Sequence, residues 1–146
     1  MEEFSAPKQT ADDMYFKGRV DLMFWTDRSP GAGAQFVAEV KPCWPRLRSS
    51  GAIHDIKYAL DKAVADVQKN RSYVSPFTKL AMVFAAPVIP SRFSSQISNK
   101  VNELIDKLKA EPNLSLAWYF RTTGGMPMHR NYVYPGVILG MCPVDA

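Results

Sequence analysis

The chain is poor in the residues that build metal cages and disulfide frameworks. Its two cysteines, Cys43 and Cys142, and its two histidines, His54 and His129, follow no zinc-ligand spacing, which favours a packing, phosphate-contact or helix-start role for His54 over metal binding. The cysteine pair suits a reduced compartment, with a single bridge as the alternative. Cys43 has no histidine arranged to activate it, which argues against a cysteine nucleophile. No apolar run approaches the roughly 20 residues of a membrane-spanning helix. The start carries Glu2 and Glu3 rather than a basic region before an apolar stretch, so no secretory signal is expected and a cytoplasmic location is. Gly124-Gly125 leads into no strand-to-helix phosphate loop and reads as a hairpin turn, so the glycine-rich cradle of an NTPase is missing as well. There is no internal repeat, low-complexity tract or linker. The 146 residues therefore read as one domain, able to bury about two thirds of its unfolded surface.

Acidic residues are scarce in particular places. None occurs between Asp66 and Glu103, an interval that holds Lys69, Arg71, Lys79, Arg92 and Lys100. None occurs between Glu111 and Asp145, where Arg121, His129 and Arg130 fall. The formal charge is +4, which permits an anionic partner. The loop after Lys41 sets Trp44 beside Arg46 and Arg48 without an acid, a combination suited to phosphate contact and base stacking. Trp44, Arg46, Arg48, Lys69 and Arg71 are thus the expected nucleic-acid contacts. Read singly, each stretch also fits a solvated basic surface.

The hydrophobic pattern changes period along the chain. Residues 1–13 form a lead segment with a short helix expected around Lys8 to Asp13. Gly18–Trp25 and Phe36–Lys41 read as a strand hairpin, separated by turn chemistry with Pro30-Gly31 near its middle. Ile53, Ile56, Leu60, Ala63, Val64 and Val67 recur at helical spacing, which predicts a helix to about Arg71. Lys79 to Ala86 is nearly all apolar between Pro76 and Pro87, the pattern of a strand buried on both faces. Ile97, Val101, Leu104, Ile105 and Leu108 predict a second amphipathic helix capped by Ser94 or Ser95. Strands are expected at Leu114–Arg121 and Tyr132–Met141. Strands alternating with helices imply an α/β fold, with a mixed central sheet flanked by helices, antiparallel at the hairpin and parallel beyond it. Trp118, Tyr119 and Phe120 follow the strand period and are expected to pack in the core and at the sheet edge.

The hairpin also carries charge in an apolar setting. Folding it about Pro30-Gly31 sets Asp21 opposite Val40 and beside Glu39, while Glu39 and Lys41 share a face. Charge in such surroundings is costly unless a partner or metal compensates it. Two carboxylates so placed are hard ligands for Mg²⁺ or Mn²⁺, with the carbonyl of Val40 as a third protein oxygen. An ammonium at Lys41 would orient a water and offset charge on a phosphate. That arrangement serves hydrolysis of a phosphodiester.

Gly18-Arg19-Val20-Asp21, a hairpin, and then Glu39-Val40-Lys41 resembles the PD-(D/E)xK, or restriction-endonuclease-like, nuclease superfamily. The resemblance covers roughly residues 14–86 and leaves 87–146 as elaboration. It implies a core of helix, three-strand meander, helix and strand. It also implies Asp21 and Glu39 as metal ligands, Lys41 as the catalytic lysine, and Gln68 with Tyr73 as the supporting pair on the following helix. Val20 stands where the family's proline would be. The acid that many relatives carry on a first helix has only Glu2, Glu3, Asp12 and Asp13 as counterparts. The expected partner is DNA, with RNA as an alternative, and the expected assembly is a homodimer or a larger nucleoprotein complex.

Two other readings accompany this one. A nuclease fold that binds nucleic acid or protein without catalysis would usually have lost part of the triad. Alternatively, Asp21, Glu39 and Lys41 are a cross-strand charge ladder that only stabilises an edge hairpin. Gln68 then is simply an exposed helix residue.

Overall fold

A computed structural model describes residues 4–9, 15–25, 35–69, 78–121 and 124–145, with the strands before Gln35 given by their backbone pairing. In chain order the elements are β1 (Phe4–Gln9), β2 (Tyr15–Val20), β3 (Leu22–Trp25), β4 (Gln35–Cys43), α1 (Ala52–Lys69) and β5 (Thr78–Ala85). There follow β6 (Ile89–Pro90), a 3₁₀ turn (Ser91–Gln96), α2 (Ile97–Lys109), β7 (Ser115–Phe120), β8 (Met128–His129), β9 (Tyr132–Val133) and β10 (Gly136–Pro143). The chain is mixed α/β, and its main sheet runs β3-β4-β5-β10-β7.

Strands β3 and β4 pair antiparallel, and β4 and β5 pair parallel. Parallel neighbours need a long crossover, and α1 supplies it. The helix buries Ala52, Ile56, Ala59, Ala63 and Val67 at helical spacing. Asp55 in its first turn and Lys69 in its last complement the helix dipole. Residues of α1 and α2 join Val83 and Ala85 of β5 and Ile138 of β10 in one apolar cluster. Ala38, Leu80 and Met82 form a second cluster with Phe36, Val40, Leu139 and Met141. Side chains alternate along a strand, so the two clusters lie on opposite faces of the sheet and β5 is buried on both, as its apolar run implies.

Several expectations need correction. Lys8 and Gln9 belong to β1, paired with Phe16 and Tyr15, rather than to a helix; residues 10–13 lie outside the described residues. The hairpin register pairs Leu22 with Ala38 and Met23 with Val37. Continued by one step, it sets Asp21 opposite Glu39, one position from the expected Val40. Beyond the hairpin, β4 and β5 are the parallel pair of the main sheet among the described residues, and β10 runs antiparallel to both β5 and β7. The 3₁₀ turn runs into α2, whose N-cap is Gln96 without a side-chain cap bond; neither Ser94 nor Ser95 fills that place. The expected last strand is broken at buried Pro135 into β9 and β10, as a residue without an N–H dictates. The expected core and edge packing of β7 divides between its residues: Phe120 packs against the core, while Trp118 and Tyr119 stand at the sheet edge, 45% and 66% exposed.

Candidate active site

The site forms where β3 gives out beside β4. Asp21 occupies the bend between β2 and β3, where its carboxylate takes the place of a backbone partner for β4. The backbone N–H of Val40 donates to Oδ2 of Asp21 at 2.7 Å. In an extended strand a residue's N–H and C=O leave by the same edge. The carbonyl of Val40 therefore leaves β4 on the side of Asp21.

Glu39 is the buried charged residue of the described core, 8% exposed. Its neighbour Ala38 and its cross-strand partner Ala81 are both buried. Burial and then the adjacent Asp21 carboxylate hold its pKa above the ordinary carboxylate range, against the opposing pull of Lys41. A hydrogen bond between the Asp21 and Glu39 carboxyls acts in the same direction. The two acids are thus in contact, in a setting that disfavours ionising Glu39.

Lys41, two residues along the same face, points to α1. Its Nζ lies 2.6 Å from Oδ2 of Asp66, and Oδ1 of Asp66 lies 3.2 Å from Nζ of Lys69. The hydrogen bond with Asp66 holds the Lys41 ammonium above the usual lysine range. Bonds from Lys41 and then Lys69 lower the Asp66 carboxyl in turn.

Asp21 and Glu39 suit a divalent ion by donor type. Among the described residues no three His, Cys, Asp or Glu side chains form a metal cage. An ion held by these two carboxylates would draw its other ligands from backbone oxygen, water and phosphate, the pattern of Mg²⁺.

The other expected residues scatter. Gln68 is exposed on α1, and the helix residue that reaches Lys41 is Asp66. Sequence reasoning passed over Asp66, and only its i,i+3 spacing from Lys69 hinted at a charge cluster there. Trp44 is 62% exposed and lines a groove of about 700 Å³ together with Lys41, Tyr58, Lys62, Asp66 and Lys69. Arg46 is exposed and its backbone bridges to Val88. Arg48 stacks on Phe93, 3.4 Å from the ring centroid, and lines a different depression. The loop therefore delivers Trp44 to the groove but neither arginine. Arg71 and Tyr73 lie outside the described residues. His54 and His129 are exposed. The Cys43 thiol is pushed up to about 11 by burial and then by Asp55, so it is a poor nucleophile at neutral pH.

Comparison with protein-family models, with curated proteins and with solved structures finds no match.

Proposed function

We propose that the chain is a metal-dependent nuclease of PD-(D/E)xK type that hydrolyses phosphodiester bonds in DNA. The observation that carries this reading is the contact between Asp21 and buried Glu39. Two carboxyls in hydrogen-bond contact cannot both ionise without repulsion, which a divalent cation between them would offset together with the cost of burial. The order β3, β4, α1, parallel β5 supports the reading too, since a hairpin, a helix and a parallel strand follow one another as in the later part of a restriction-endonuclease-like core.

Asp21, Glu39 and the carbonyl of Val40 would hold Mg²⁺ or Mn²⁺. Such an ion supplies charge neutralisation at the phosphate and an acidified water. Glu39 must be ionised to bind it. Lys41 is kept cationic by Asp66, so it acts as a hydrogen-bond donor to the attacking water or to a phosphate oxygen rather than as a base. The attacking water gives up a proton to bulk water as its oxygen bonds to phosphorus, the ester P–O bond breaks, and the leaving oxygen takes up a proton from solvent, so that one water is consumed overall. Asp66 fixes the ammonium from the helix side and is a positioning residue.

The test is incubation with plasmid, single-stranded and branched DNA and with RNA, in Mg²⁺, Mn²⁺ or EDTA. Cleavage of DNA that requires the metal is the expected result. Binding without cleavage under every condition would favour the non-catalytic module instead.

A further inference from the structure

We propose that the groove between the end of β4 and α1 is a binding site for a single-stranded stretch of nucleic acid. Its bases would stack on Trp44 and Tyr58, and its phosphates would lie on Lys62 and Lys69. The proposal deepens the nuclease reading and rests on it only for the fate of the bound strand.

One wall is the β4 end from Lys41 to Trp44, and the other is a stripe of α1. Tyr58, Lys62, Ala65 and Lys69 follow one another at three- and four-residue steps, so they share a helix face. From Tyr58 to Lys69 the stripe runs about 16 Å at 1.5 Å per residue. Trp44 and Tyr58 are large aromatics left 62% and 64% exposed; Trp118 and Tyr119 on β7 are exposed as well but do not line this groove. Trp44 and Tyr58 line the same concavity, and its small residues Ala59 and Ala65 leave room between the walls. The Nζ of Lys62 lies 5.3 Å from the centroid of the Tyr58 ring, which sets a cation beside a stacking surface. Lys41 and Lys69 share Asp66, and Asp55 is the other acid of the lining, so the three lysines of the groove, Lys41, Lys62 and Lys69, exceed its two acids by one charge.

The choice of a single strand follows from what an aromatic face recognises. Bases within a duplex are stacked on one another and offer only their edges, so duplex binding rests on phosphates. Unpaired bases present their faces, and aromatic residues beside cations receive them without regard to sequence. Lys41 lines the same groove as Trp44 and Tyr58, so a strand lying there reaches the residue assigned to hydrolysis.

The test is fluorescence anisotropy in EDTA, where no cleavage occurs, with a labelled oligothymidylate strand and a blunt duplex of the same length. The strand should bind more tightly than the duplex. Trp44→Ala and Tyr58→Ala should each lower strand affinity roughly tenfold or more, the loss of about one stacked base, with duplex affinity unmoved. Trp44→Phe and Tyr58→Phe should retain most of it. Equal affinity for strand and duplex, strand binding indifferent to both alanine variants, or competition by thymidine monophosphate as strong as by the strand would each overturn the proposal. Parallel cleavage assays in Mg²⁺ and Mn²⁺ separate the two claims. Cleavage with aromatic-independent binding removes the groove and leaves the nuclease; aromatic-dependent binding without cleavage does the reverse.

Discussion

The Nζ of Lys41 lies 2.6 Å from Oδ2 of Asp66, so the lysine of β4 is tied across the layer boundary to α1. Removing the partner should reach Lys41 without unfolding the chain. Both side chains are about one-third exposed, and ion pairs of this kind contribute about 0.2–1 kcal/mol. Asp66→Asn should therefore leave stability nearly unchanged while slowing cleavage. Loss of the carboxylate lowers the Lys41 pKa, so the alkaline limb of the pH–rate profile should move to lower pH, and Asp66→Glu should restore it in part. Gln68→Ala, at an exposed position, should leave stability within about 0.5 kcal/mol of wild type and slow cleavage less than Asp66→Asn does. The same pair fixes a pH window for stability. The contribution of Asp66 is lost as pH falls through its lowered pKa, and that of Lys41 as pH rises through its raised one, so neutral pH lies within the stable range.

Glu39 should behave in the opposite sense. Its pKa is raised in the folded chain, chiefly by burial, so the native state binds that proton more tightly than the unfolded state does. The resulting stabilisation is complete below the ordinary glutamate pKa and is lost as pH rises through the raised value. Above that window, without metal, Glu39→Gln should melt higher than wild type. Added Mn²⁺ should raise the wild-type melting temperature, with stabilisation approaching about 2.7 kcal/mol at a hundredfold excess over Kd, and should leave the variant unmoved. Scanning calorimetry across pH, with and without Mn²⁺, reads both effects.

Pairing of β10 with β7 depends on Gly136. A Cβ there would meet the Tyr119 carbonyl oxygen and lie 2.8 Å from Cα of Phe120, backbone that cannot yield without breaking the ladder. Gly136→Ala should cost about 1–3 kcal/mol, read as a lower midpoint in urea. A midpoint equal to wild type would mean that β7 does not pack against β10 as described.

Periodicity made much of the fold legible. The stripe through Ile56, Ala63 and Val67 marked α1, the apolar run into Ala85 marked β5, and the α2 stripe is buried as read. Strand β1 was hidden because Phe4–Gln9 contains Pro7 and lacks clean alternation. A two-stranded sheet has only edge strands, where proline is tolerated. The hairpin register slipped by one position because it was set from the place of Pro30-Gly31 in the loop rather than from the Leu22–Ala38 pair. In the candidate site, Asp21, Glu39 and Lys41 were visible as types at a spacing, and the structure brings Asp21 against Glu39. Asp66 was not visible, because its role depends on how α1 docks on β4, a long-range outcome that no local pattern encodes. Tyr58 and Lys62 were legible in principle as an i,i+4 pair.

The most direct measurement is the rate at which the purified chain cleaves DNA in Mg²⁺, compared with Glu39→Gln and Lys41→Met variants shown by circular dichroism to be folded. Metal-dependent cleavage by the wild type and a loss on the order of 10²-fold or more in each variant are expected. Cleavage by both variants at the wild-type rate would contradict the nuclease reading.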